Sequence, residues 1–175
     1  MLSKSTWAIL ALTCHLEIFS QVHYRHSMEI DNSLSPLFRD VFLFHWKEES
    51  QHAIIDEMEW KREDARLDDA ARDAAVDDLI ALVEGIDDVL QMQAEADTSY
   101  FCAHVGRTLL PAEADDVGAA MLDAYRWQYI VSGVREPRFH TLLARMVSEA
   151  QGHRIADALA PLMKPKLAAM SLPLV

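Results

Sequence analysis

Five glycines and six prolines punctuate the whole chain, too few for the tight turns that a β-rich fold needs at its strand ends. Alanine, leucine, glutamate, arginine and methionine fill the intervals, and these residues favour helix. Apolar periodicity and stop signals divide the sequence into five helices. The first runs from about Ser5 to His26 and stops at "DNSLSP". Ser35 then offers an N-cap, and Pro36 a first-turn residue, for a second helix reaching about Arg62. A third has its clearest apolar stripe from Leu79 to Val105 and is broken by Pro111. The acidic stretch at 63–78 reads as a solvated helix face or turn. A fourth helix fits Glu113 to Ile130, and after the "SGVREP" break a fifth runs from about Pro137 to Met163. Rods of this length on short connections pack as antiparallel neighbours. The expected fold is therefore an all-α bundle, one domain over residues 1–175 with a core of about 5–163. The tail at 164–175 is expected to be loosely held.

Charge narrows the function. The formal net charge is −12, and no basic cluster offsets it, which argues against nucleic acid or an anionic membrane as partner. Cys14 and Cys102 lack zinc or redox spacing, so free thiols in a reduced, cytoplasmic setting are expected. Lys4 before an apolar run imitates a signal peptide, but Thr13 and His15 interrupt the run and no small-x-small cleavage site follows. No uninterrupted apolar stretch is long enough to span a bilayer.

The chemistry concentrates in "HWKEESQHAIIDEMEW", residues 45–60. Each helical residue advances about 100°, which brings His45, His52 and Asp56 within about 60° of Glu49. Phe38, Phe42, Trp46 and Trp60 share that side. Ionisable groups among large aromatics are expensive to bury unless a metal or a tight hydrogen-bond network satisfies them. On the first helix, Glu17 lies on a stripe with Leu10, Thr13, Cys14, Ser20, Gln21 and Tyr24. A rise of 1.5 Å per residue brings Glu17 and Glu49 to about the same height across an antiparallel pair. The apolar stripe of the third helix continues into Gln93, Asp97, Phe101 and His104. In the fifth, Glu149 shares a side with Leu142, Met146 and His153.

Four unpaired carboxylates in one core would repel and take up protons. Two divalent cations bridged by carboxylates, with one imidazole each, would remove that cost. The alternative is a metal-free bundle with a hydrogen-bonded Glu49–His52 pair. There Asp97 would be satisfied by Gln93, and Glu149 and His153 by Arg145 or Arg154. His15, His23 and His26 are expected at the surface, and Cys14 as a small core residue.

This pattern resembles the ferritin-like diiron-carboxylate superfamily, whose centre takes an acid from each of two helices and E-x-x-H from each of two others. On that resemblance Glu17 is the first-helix acid, and Glu49 with His52 the first E-x-x-H. Asp97 is the third-helix acid and Glu149 the last, followed by His153 at four residues rather than three. His45, Asp56 and Gln93 would support the ligands, His45 through an H-x-x-x-E-x-x-H arrangement. The resemblance implies a ferritin-like four-helix bundle with an additional helix, two iron or manganese ions, and dioxygen. It also implies an oxidase or oxygenase acting on a small-molecule substrate. Iron storage without an organic substrate, or a metal-free interaction module, are the competing expectations. Leu43, Phe44, Ile54 and Ile55 form an apolar patch roughly opposite Glu49, to be covered by the fourth helix or by a homodimer partner.

Overall fold

The computed structural model describes residues 3–164, so the tail expected to be loose lies, from residue 165 onward, outside the described residues. Within them the chain is helical and contains no strand. The order is α1 (Thr6–His23), a π turn (Tyr24–Met28), α2 (Pro36–Asp64), α3 (Asp69–His104) and α4 (Pro111–Arg126). A second π turn (Trp127–Val131), α5 (Ser132–Arg135), α6 (Pro137–Met146) and α7 (Glu149–Leu159) follow. No helix among the described residues is long and apolar enough to cross a membrane.

Local chemistry explains the boundaries. The Ser5 and Ser35 hydroxyls accept from the amides of Ala8 and Phe38 and open α1 and α2, with Pro36 in the first turn of α2. Asp68 accepts from the amide of Ala71, so α3 begins about ten residues ahead of its apolar stripe. The acidic segment thus splits into a turn and a largely solvated first stretch of α3. Pro111 lies beyond the end of α3, as expected of a break, and is itself the first residue of α4, two before the expected start at Glu113. The fifth expected helix is two: Val147 is extended (φ −113°, ψ 149°). Ser148 and Gln151 then close a reciprocal capping box that starts α7.

The core forms around α1, which packs on α2, α3, α5 and α6. Trp7 Nε1 donates to Asp64 at 2.9 Å, which sets the start of α1 beside the end of α2 and makes the pair antiparallel. Trp7 meets Trp60 edge-on at 5.2 Å, and Trp60 stacks on Phe139 at 5.9 Å. Ala8, Ala11, Cys14 and Ala53 are fully buried, and these small side chains let α1 and α2 approach closely. Antiparallel α3 and α4 are joined by a buried, bidentate pair: Arg126 Nε and Nη2 each donate to Asp87 at 2.6 Å.

His15 corrects the expectation of a surface residue. It is buried, with Nε2 donating to the Tyr129 carbonyl at 3.2 Å and the ring edge-on to Phe139 at 5.1 Å. Gly133 makes room for it, since a Cβ there would lie 2.5 Å from His15 Cε1. Burial pushes the imidazole down to about 4, so the ring is neutral. His23 is half-buried and also shifted downward by burial, whereas His26 is exposed as expected.

On α2 only Ala53 and Trp60 are buried. Leu37, Phe38, Val41, Phe44, Ile54, Ile55 and Met58 are all exposed. The apolar patch read from the sequence is therefore present at Phe44, Ile54 and Ile55, and neither α4 nor any other described helix covers it.

Candidate metal centre

Because α1 and α2 run antiparallel, Glu17 meets Glu49 and His52 across the pair. One ligand atom from each lies within 4.8 Å of the other two, and they form the one such group of three or more His, Cys, Asp or Glu among the described residues. His52 Nδ1 donates to Glu49 Oε2 at 3.0 Å, and His45 Nδ1 sits 3.2 Å from Glu49 Oε1. Glu49 is the hub: His45 and His52, one turn before and one turn after it, bracket the same carboxylate.

Glu17 and Glu49 are hydrogen-bonded to each other, and each shifts the other's titration. Burial, then the hydrogen bond to Glu49 and its negative charge, pushes Glu17 up to about 8. Glu49 moves the other way, held down first by the bond from Glu17 and further by His52. The bond to Glu49 raises His52 in turn. Near neutral pH the arrangement is a protonated Glu17 donating to an ionised Glu49, whose two oxygens also face His45 and His52. Asp56 adds negative charge on the same side, pushing Glu17 further upward. The Cys14 thiol is pushed up to about 12, by burial and then by Asp56 and Glu57, so it stays protonated and supplies no thiolate ligand.

The cluster sits at an edge rather than in the core. The Glu49 side chain is 15% exposed, but His45 is 53% and His52 48% exposed. Of the aromatics on the Glu49 side of α2, Trp46 stacks on Tyr24 at 5.2 Å and Phe42 packs on Phe38 at 4.6 Å. Phe101 is exposed near the end of α3.

The other three candidate ligands go elsewhere. Asp97 faces α4, where it accepts from the Tyr125 hydroxyl and from Gln93 Nε2 at 2.9 Å. Glu149 and His153 are exposed on α7, with Glu149 in its first turn. The reason is the break at Val147–Ser148, because the reading that aligned Glu149 with Leu142 and Met146 assumed one continuous helix. A signal for the break existed. At about 100° per residue, the buried Leu142 and Met146 lie roughly half a turn out of phase with the buried Ile155 and Leu159, and no single straight helix buries both pairs. Arg154 reaches back to Asp73 on α3 at 3.0 Å, as does Gln151 at 3.2 Å.

The Asp87–Arg126 pair was missed, although Asp87 lies three residues before buried Leu90 and eight after buried Leu79, inside the apolar stripe. Sequence reading also missed a cavity of about 610 Å³, walled by Leu12, Val83, Ile130, Phe139 and Leu143 and by none of the candidate ligands. No protein-family model, curated protein or solved structure matches this chain, so the candidate centre stands on its own geometry.

Proposed function

We propose that the α1–α2 hairpin binds a divalent transition metal, iron in the first instance, and that the chain uses it in dioxygen-dependent oxidation. The observation that carries this reading is the convergence of Glu17, Glu49 and His52 donor atoms within 4.8 Å at one height of an antiparallel helix pair. Their chemistry fits a cation. Two carboxyls hydrogen-bonded through one proton form a site whose negative charge is incompletely neutralised, and a divalent ion replaces that proton with a larger positive charge. Carboxylate oxygen and imidazole nitrogen suit iron, manganese and zinc. Glu17, Glu49 and His52 would hold the ion, and His45 would orient Glu49 through its second oxygen.

An acid on one helix with E-x-x-H on the next is half of the ferritin-like ligand set, which supports that family reading for the hairpin. Asp97 is held by Tyr125 and Gln93, so the reading advanced is one metal per chain rather than a dimetal centre built across four helices of one chain. A bound iron would supply the redox chemistry. The chain's own part is to position the carboxylates and to accept or release the Glu17 proton.

Metal analysis of protein purified without chelator tests the proposal, together with equilibrium dialysis against Fe(II), Mn(II) and Zn(II). About one ion per chain is expected, lost on Glu49→Ala. An iron-loaded form that consumes dioxygen faster than free Fe(II) would support oxidase chemistry. No tight uptake of any of the three ions would overturn the metal reading.

A further inference from the structure

We propose that the uncovered face of the α1–α2 hairpin receives a second copy of this chain about a two-fold axis, so that two hairpins complete one centre with Glu17, Glu49 and His52 from each. The inference rests on the metal reading above.

Three observations meet on this face. First, α2 is 29 residues long and buries only Ala53 and Trp60. A helix with that little cover and this many exposed apolar side chains lacks a partner surface. Second, part of the exposed apolar surface borders the metal-binding edge. At about 100° per residue, Leu37, Phe38, Val41, Phe44 and Ile55 fall within an arc of about 120° that also contains His45 and His52, with Glu49 just beyond its edge and Ile54 and Met58 on the other side. Third, measured against the ferritin-like ligand set that the hairpin resembles, Glu17, Glu49 and His52 are half of a whole. A carboxylate-bridged dimetal centre in a bundle draws one acid from each of two helices and E-x-x-H from each of two more. One hairpin supplies one acid and one E-x-x-H, and a two-fold axis through the face supplies the identical second half, as an isologous interface must. Among the described residues no other candidate ligand joins the site, because Asp97 is engaged with α4 and Glu149 and His153 are exposed on α7.

Size and charge point the same way. A 29-residue helix is about 44 Å long, and with α1 beside it the face offers on the order of 700 Å² per chain, close to the roughly 800 Å² per partner of a stable interface. The face also carries Glu17, Glu48, Glu49, Asp56 and Glu59 against His45, His52 and Arg62, which pairs with Glu59. Two copies would bring like charges together, and cations between them would reverse that repulsion. Association and metal uptake are therefore linked, each strengthening the other.

The test uses the full chain, with mass by sedimentation equilibrium and uptake by titration with Co(II) as an air-stable probe. The expected result is a dimer holding two ions, with the metal-free chain shifted toward monomer. Val41→Glu and Ile55→Glu change exposed positions, so the fold should be retained by circular dichroism. Each is expected to weaken both dimerisation and Co(II) affinity by at least about tenfold. A chain that stays monomeric while binding one ion overturns the inference and leaves the metal reading intact. So do Val41→Glu and Ile55→Glu chains that turn monomeric with unchanged affinity. Absence of Co(II) uptake in any form overturns both.

Discussion

Glu17 and Glu49 are chemically identical side chains that titrate in opposite directions, because one is more enclosed and donates the hydrogen bond that the other accepts. This has a measurable consequence. Glu17 is raised from 4.5 to about 8 in the fold. The folded chain then keeps a proton that the unfolded chain releases from about pH 4.5, so the stabilisation it brings is full below that pH and is lost as pH rises through about 8. Glu49 is depressed, and its contribution is present above its ordinary value and lost as pH falls below it. Buried His15, lowered from 6.5 to about 4, works in the opposite sense up to about pH 6.5. The melting temperature of the metal-free protein is therefore expected to fall chiefly between about pH 6.5 and 8, and Glu17→Gln, which keeps a donor to Glu49 without the titration, is expected to flatten that slope. An unchanged slope in the variant would remove Glu17 as the titrating group. The positions of Glu17, Glu49 and His52 were legible because helical spacing and rise are local quantities. The direction of each shift was not, since it depends on which carboxyl ends up more enclosed.

At the scale of elements, the capping residues did most to decide the architecture. Ser5, Ser35 and Asp68 each satisfy an amide at a helix start, and the first two starts could be read directly. The break before α7 was written in "SEAQ", where Ser148 and Gln151 form a capping box. Its cost to the sequence reading was large, because it carried Glu149 and His153 away from the other candidates. Replacing Ser148 by alanine is expected to lower stability by about 1 kcal/mol, with the loss concentrated in α7. Hydrogen exchange should then show faster exchange at the amides of 149–152 than in α1. Uniform acceleration across all helices would count against a local cap.

The whole molecule is held by contacts between residues far apart in the chain. Asp87 and Arg126 are both buried and pair through two bonds of 2.6 Å. Removing one partner strands a charge, so Asp87→Ala is expected to cost about 3 kcal/mol in urea denaturation. Replacing both, as Asp87→Leu with Arg126→Met, is expected to restore most of that loss. A double variant as unstable as the single one would mean that the pair serves packing rather than charge.

The division between sequence and tertiary structure follows the range of the forces. The sequence alone determined that the chain is helical, that its first two helices form a hairpin, that Glu17 and Glu49 come to one height, and that His45 and His52 share the side of Glu49. All of these follow from backbone bonds four residues apart and a rotation of about 100° per residue. Only the tertiary structure decided that His15 is buried over Gly133, that Asp97 turns to Tyr125, and that α7 carries Glu149 and His153 outward. Those outcomes depend on which faces meet across dozens of residues of intervening chain, where burial and hydrogen-bond satisfaction outweigh local periodicity.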